Sequence, residues 1–458
     1  MNSVRRILAF AALLLVWSAT ATAQNLKIEQ YTLPNGLRVV LNEDHSTPLV
    51  AVNIWYHVGS KNEKPGRTGF AHLFEHMLFS GSQNVGRNEH FKYVQSVGGI
   101  LNGSTSFDRT NYYETVPSNY LPLALWLEAD RMGFFLPALD QEKLNIQKEV
   151  VKEERRQRYD NVPYGTWIES LLQRAFPADY PYYWPTIGSM TDLTAAELED
   201  VKGFFRTYYS PNNAVLTLVG DFDPAEAREF VQRYFADIPR GPEVPRFNTS
   251  APPLKAEQRD VVEWAVQLPR VYRLYHIPKF GDKDWIAADL LSNVLAGGKA
   301  SRLEKALVYD QQIAQDVVTF AWPSETTGMF VVWATAKEGV SIERLEAALD
   351  TEIQKVVRNG VTEAELRRAR NQVQTAYAQQ LSEFATRADL INNAATFFND
   401  PTLVNRWLDR YASTTRGDVQ SVVSRYFLPT NRVTVHFVPK AKPAAASASS
   451  LDNKGGSK

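Results

Sequence analysis

The chain has 458 residues, 22% of them charged, and a formal net charge of −1, which excludes a polyanion-binding surface and any strong attraction to an anionic membrane. Hydrophobic residues at 44% with 12% aromatics describe a globular protein long enough for about two to four domains. There is no cysteine, so neither a disulfide nor a lipidated N-terminal cysteine contributes.

In chain order, Arg5 and Arg6 precede an apolar run from Ile7 to Trp17, followed by Ala21-Thr22-Ala23. This pattern predicts a secretory signal over residues 1–23, cleaved after Ala23, and hence a periplasmic or secreted protein. Spanning a bilayer takes about 20 apolar residues, so no membrane anchor is expected after cleavage. Pro34-Asn35-Gly36 between apolar runs predicts a hairpin within Leu26–Asn42. Leu49–Val58 (LVAVNIWYHV) reads as a buried strand.

After a loop with Gly59, Pro65 and Gly66 comes a helix carrying His72-Leu73-Phe74-Glu75-His76. Histidines four apart lie one turn above each other, so both imidazoles can reach one metal ion. Glu75 sits close enough to that face to hold a water against the metal, in the inverted order of the zincin helix. Phe70, Leu73, Phe74, Met77 and Leu78 form the apolar side; His72, Glu75, His76 and Phe79 share the other and are expected to face a cleft. Two core or surface histidines on an ordinary helix are the plain alternative.

Asn88–Val97 reads as a helix, Gly98–Ser106 as a glycine-punctuated extended stretch, and Thr110–Val116 as a strand. Glycines in a strand often mark a close approach by another group, although a plain hairpin explains the pattern equally well. Leu121–Phe134 is helical. Asp140–Arg158 is a further helix with Asp140 as N-cap, Leu144, Val150 and Val151 on its apolar side, and Glu153 and Glu154 beside that side. Helices follow at Thr166–Ala175, Thr194–Tyr208 and Pro224–Phe235, with a strand at Ala214–Val219.

Residues 239–258 carry five prolines and little apolar periodicity, which predicts a linker between domains 24–238 and 259–438. Beyond it the chain repeats itself weakly. Tyr208…Pro211…Asn213…Val215 matches Tyr426…Pro429…Asn431…Val433, and Trp55-Tyr56-His57-Val58 echoes Leu274-Tyr275-His276-Ile277. Carried forward, the metal-ligand positions become Ala288, Leu291 and Ser292, so the second copy keeps the scaffold without the metal. Residues 439–458 (PKAKPAAASASSLDNKGGSK) read as a disordered tail. The expected fold class is α+β: two homologous sheet-and-helix domains in tandem, forming a clamshell.

The HLFEH run, GGILNGSTSFDRTNYYETVP, VVKEERRQRYDNVPYG and YYSPNNAVLTLVGDFD together resemble the pitrilysin/insulysin-type zinc metallopeptidases, in their short bacterial processing-peptidase-like branch. The resemblance implies one Zn2+ per chain, held by His72, His76 and a glutamate, with Glu75 as general base. The family spacing matches Val150-Val151-Lys152-Glu153-Glu154 best at Glu154, with Glu153 in reserve. A second family glutamate, seven residues before that ligand, is Gln147 here, so a supporting carboxylate is missing or comes from a neighbour such as Glu149. The resemblance also implies that Asn102, Gly103 and Ser104 lie on an edge strand that pairs with an extended peptide.

One family feature is absent. The usual arginine and tyrosine of the second domain fall here on Val308 and Gln315, with Tyr309 out of register and Arg302 part of the preceding motif. The resemblance therefore implies a zinc endopeptidase that acts as the metal-bearing subunit of a heterodimer, with a homologous partner supplying the Arg/Tyr pair. The alternative is a catalytically weak peptide-binding or scaffold subunit. Peptides are the expected substrates, and no nucleic acid is expected as a partner.

Overall fold

A computed structural model describes residues 25–440; the signal expected at 1–23 and residues 441–458 of the tail expected over 439–458 lie outside the described residues, while Pro439 is the last residue of a strand rather than part of a tail. The first half contains β1 (Glu29–Thr32), β2 (Arg38–Glu43), β3 (Leu49–Tyr56), α1 (Phe70–Met77), α2 (Glu89–Ser96), β4 (Ile100–Thr105) and β5 (Thr110–Pro117). It continues with α3 (Leu121–Phe134), α4 (Gln141–Arg155), α5 (Trp167–Ala175), α6 (Met190–Ala195), α7 (Leu198–Tyr208), β6 (Ala214–Gly220) and α8 (Pro224–Phe235). The helix expected over 194–208 is two helices, because Ala196 and Glu197 are extended and Glu197 starts a new helix as its N-cap. The second half contains β7 (Gln258–Trp264), β8 (Arg270–Ile277), α9 (Lys283–Ala296), β9 (Ala314–Trp322) and β10 (Gly328–Ala336). Then come α10 (Ile342–Asn359), α11 (Glu363–Ser382), α12 (Phe384–Phe398), α13 (Trp407–Ser413), α14 (Arg416–Tyr426) and β11 (Arg432–Pro439).

The first sheet has the order β1-β2-β6-β3-β5-β4 and the second β7-β11-β8-β10-β9. With β1 set aside, replacing β2 to β6 by β7 to β11 turns one order into the other. Each sheet has one parallel pair at the matching place, β2 with β6 and β7 with β11. The repeated sequence motif has a physical basis in one asparagine per copy. Asn213 donates to the carbonyls of Tyr208 (2.8 Å) and His57 (3.4 Å). Asn431 donates to those of Tyr426 (2.8 Å) and His276 (2.8 Å). Each amide thus ties the end of a helix to the end of a central strand through two backbone carbonyls.

The halves are interlocked. On β2, β3 and β6, Val39, Leu41, Val52, Ile54, Leu216 and Leu218 pack on helices of their own half, while Val40, Ala51, Val215 and Val219 face the other way. That second face is covered by α12 from the second half, through Phe384, Ala388, Ile391 and Ala395. Asn392 and Asp389 of α12 are bonded into the same sheet: Asn392 accepts from Thr217 Oγ1 (2.7 Å) and Asp389 accepts from Trp55 Nε1 (2.9 Å). The exchange is reciprocal. Helix α5 of the first half lays Ile168, Leu171, Leu172 and Ala175 on Leu274, Val433, Val435 and Phe437 of the second sheet. Central strands buried on both faces account for the continuous apolar runs in the sequence.

A buried ion cluster joins the halves. Glu325, in the β9–β10 loop, bonds His57 Nε2 at 2.7 Å and pairs with Lys61, which also lies 3.1 Å from Asp108. Burial alone would push the Glu325 carboxyl up; the His57 hydrogen bond and the Lys61 charge outweigh it and hold it down to about 2. A carboxylate depressed in the native state stabilises fully above its unfolded value and loses that contribution as pH falls through its native one. The joint therefore weakens as pH falls from about 4.5 toward 2. Urea midpoints at pH 7 and pH 3 check this: Glu325→Gln lowers the first and narrows the gap between the two.

Candidate metal centre

Helix α1 begins where two glycines meet. Gly69 has φ +84°, and a Cβ on Gly188 would fall 2.4 Å from the Gly69 Cα, so neither position admits a side chain. The buried Glu63 carboxylate accepts from the backbone N–H groups of Gly69 (2.9 Å) and Ala71 (2.8 Å), capping the first turn. Arg155, in the last turn of α4, donates to the Gly188 carbonyl, so the start of α1 and the end of α4 are tied to one loop. Phe70, Leu73, Phe74 and Met77 anchor α1 in the first core. That leaves His72, Glu75 and His76 on the opposite side.

The structure brings His72, His76 and Glu154 together. Glu154 Oε2 lies 3.6 Å from His72 Nε2 and 3.1 Å from His76 Nε2, and one ligand atom from each residue falls within 4.8 Å of the other two. Zinc bound tetrahedrally at about 2.0–2.1 Å would space its ligand atoms about 3.4 Å apart, and these separations bracket that value. Burial, with His76 adjacent, pushes the His72 imidazole down to about 4, so the ring is neutral and its lone pair is available. Burial opposes the charge of Glu154, but the His76 hydrogen bond, the two imidazoles and the Arg158 guanidinium together hold its carboxyl below the usual range. Arg158 donates to the other Glu154 oxygen at 2.6 Å. Among the described residues the cluster offers two imidazole nitrogens and one carboxylate oxygen, the ligand count of a centre that keeps an open position.

Glu153 points elsewhere: it is half exposed and paired with Arg156 and Gln157. Glu149 is exposed and paired with Lys152 at 2.8 Å, so it does not stand in for the missing family carboxylate. His72 Nδ1 is buried and has no partner among the described residues, whereas a metal-binding histidine ordinarily donates its second N–H.

Glu75 is buried beside this group, and burial raises its carboxyl above the usual range. Its Oε2 accepts from Thr105 Oγ1 at 2.7 Å. A Cβ on Gly103 would come within 3.1 Å of Glu75 Cγ and of Phe79 Cε2, so the glycine in β4 marks where that strand lies over α1. Strand β4 is the edge of the first sheet. Arg109 braces it, donating to the Ser104 carbonyl (2.8 Å), Ser104 Oγ (2.6 Å) and Asn111 Oδ1 (3.1 Å). The Asn102 side chain accepts from the Gly103 N–H at 2.9 Å. Thr105, Arg109 and Arg158 escaped the sequence reading. Thr105 was within reach of it, since residues two apart on a strand share a face and Gly103 had been singled out.

A second group, His90, Glu114 and Glu128, is fully buried and close enough to hold a metal. An arginine already supplies positive charge there. Arg131 lies 2.7 Å from His90 Nε2 and 3.2 Å from Glu128, with its guanidinium over the rings of Phe79 and Tyr112. In the second half, the positions matching His72, Glu75 and His76 are the buried Ala288, Leu291 and Ser292 of α9. Val308 packs against the second core, Gln315 is exposed, and Arg302 is held by Glu365 at 2.7 and 2.8 Å. No described helix is long and apolar enough to cross a membrane.

The insulinase (peptidase family M16) model matches residues 38–181, and the peptidase M16 inactive domain model matches residues 195–373. The chain is 31% identical over 454 residues to the zinc protease PqqE of Helicobacter pylori, covering 95% of this chain and 99% of that one. It is 26% identical to the uncharacterized zinc protease YmxG of Bacillus subtilis, covering 76% of this chain and 82% of that one. A crystal structure of a protease from Helicobacter pylori superposes with a TM-score of 0.85 at 30% identity, covering 90% of this chain and all of that one. The insulinase match contains His72, His76 and Glu154, and the inactive-domain match runs from the end of α6 into α11. The chain belongs to peptidase family M16.

Proposed function

We propose that this chain is a zinc-dependent endopeptidase acting on peptides or unfolded segments, exported to the periplasm or beyond, and that it is the metal-bearing subunit of a heterodimer. The observation that carries the reading is the convergence of His72, His76 and Glu154 at tetrahedral spacing with Glu75 beside them. In this reading His72, His76 and Glu154 hold one zinc. Bound zinc supplies Lewis acidity toward water and a peptide carbonyl. Glu75 takes the proton of the attacking water and returns it to the leaving amine; a carboxyl raised by burial is matched to both transfers. Thr105 fixes the orientation of that carboxylate. The edge strand β4, at Asn102, Gly103 and Ser104, pairs with an extended substrate through main-chain hydrogen bonds, which tolerate many side chains.

The heterodimer rests on the missing arginine and tyrosine, which the family resemblance implies bind the substrate and stabilise the developing oxyanion: Val308 and Gln315 stand at their positions. A missing oxyanion donor costs about a hundredfold or more in rate. Assayed alone and then with a homologous subunit carrying the arginine–tyrosine pair, the chain is expected to gain at least about a hundredfold in peptide cleavage. Equal activity in the two preparations overturns the heterodimer. The same two positions favour a second reading, a weakly catalytic peptide-binding or scaffold subunit, which gains if the zinc-loaded chain cleaves nothing even with its partner.

A further inference from the structure

The metal-free second half has no assigned task at the centre, yet its sheet forms one wall of a cavity that opens beside it. The cavity has a volume of about 550 Å³ and lies between the segment after α4, the start of α5, and the face of β8, β9 and β10. Two of its lining residues touch the candidate machinery directly. Thr105 bonds Glu75, and Arg158 bonds Glu154. The cavity therefore begins one hydrogen bond away from the base on one side and from the third ligand on the other. Successive residues of an extended peptide are about 3.3 Å apart, so a residue flanking a bond held at the centre is within reach of this mouth.

The walls are aromatic and fixed in place. Trp167 of α5 stacks on Tyr272 of β8 with centroids 5.3 Å apart and planes 8° apart, and meets Trp333 of β10 at 5.6 Å. Tyr272 and Trp333 are directly opposite one another across the β8–β10 pair. Trp322, the last residue of β9, closes the wall against Phe107 at 5.6 Å. No aspartate or glutamate lines the cavity. Its arginines are engaged: Arg158 with Glu154, and Arg270 over the Tyr164 ring at 3.9 Å while donating to Thr335 Oγ1 and Tyr272 OH. Both arginines already have carboxylate partners, Arg158 in Glu154 and Arg270 in Asp316 at 3.9 Å, so the lining offers no free carboxylate to offset the desolvation of an incoming lysine or arginine side chain. A large apolar side chain instead exchanges water for ring faces.

Resting on the peptidase reading above, we infer that this cavity is a specificity pocket for a bulky apolar side chain, aromatic above all, flanking the scissile bond, and that the second half exists in part to build it. The substrate class is then peptides with Phe, Trp, Tyr or a large aliphatic residue next to the cut.

The test uses the full chain loaded with zinc, with its partner subunit where activity requires one, and peptides of one sequence carrying Phe, Ala, Glu or Lys at each position near the cut. Mass spectrometry locates the cleaved bond. The expected kcat/KM ratio of the Phe to the Ala peptide is about tenfold or more at one flanking position, with the Lys peptide poorest. Trp333→Ala is expected to reduce that ratio toward one, and Ile168→Trp, which fills the cavity, to reverse it. A Glu or Lys preference, or a ratio unmoved by either substitution, overturns the pocket. A parallel binding measurement keeps the two readings apart: the same peptides are titrated into zinc-loaded Glu75→Gln protein by fluorescence anisotropy. Tighter binding of the Phe peptide, lost in Glu75→Gln/Trp333→Ala, supports the pocket even if the wild type cleaves nothing. Equal binding of all four peptides overturns it even if the wild type is an active peptidase.

Discussion

Glu75→Gln is expected to give a protein that loads one zinc per chain and has lost about a thousandfold in kcat/KM, the scale on which a positioned general base acts. Glutamine keeps the shape and can still accept the Thr105 hydrogen bond, so the strand–helix packing at Gly103 is undisturbed. Burial disfavours the charge of Glu75; removing that charge relieves the fold rather than straining it. Zinc content by mass spectrometry and cleavage of a quenched fluorescent peptide check the result. Unchanged zinc with activity within tenfold of wild type would remove Glu75 from the role of base.

The second large effect separates two neighbouring carboxylates. Glu154→Gln is expected to weaken zinc binding at pH 7 by at least about a hundredfold, beyond what a supporting residue typically contributes, while Glu153→Gln leaves it unchanged. The reason is geometric. Glu154 Oε2 faces both imidazoles at 3.1 and 3.6 Å, whereas Glu153 spends its oxygens on Arg156 and Gln157 at the surface. Competition against a coloured chelator measures both constants. Equal losses in the two variants would mean that the end of α4 rearranges when metal enters.

What the sequence made legible was local. The spacing of His72, Glu75 and His76 is a statement about one helical turn, and the apolar residues between them dictate which side is turned inward. Asp140 was readable as the cap of α4, and it accepts from the Lys143 N–H at 2.8 Å, because capping involves neighbours within three residues. The choice of Glu154 over Glu153 came from family resemblance, since nothing within α4 says which glutamate meets a helix some eighty positions earlier. The break at Ala196 and Glu197 was missed because Thr194–Tyr208 keeps a helical pattern across it, and two extended residues leave little trace in such a pattern. The aromatic wall was scattered through the chain at Trp167, Tyr272, Trp322 and Trp333. No periodicity joins positions that meet only when a helix of one half lies on the sheet of the other. Leu49–Tyr56 announced that both its faces are buried, but not that the second cover is supplied by Phe384–Phe398.

That exchange of helices has a consequence for how the protein is made. Ribosomes deliver the chain from its N-terminus, and the first sheet is complete once Gly220 has emerged. Its outer face, with Val40, Ala51, Val215 and Val219, then waits for more than 160 further residues before α12 arrives. Over the same interval α5 carries an apolar stripe whose seat, on β8 and β11, is finished only by Phe437. Neither half buries all of its apolar faces without the other. The two copies behave as a single inheritance, not to be divided by a protease or by gene fission without unmaking both.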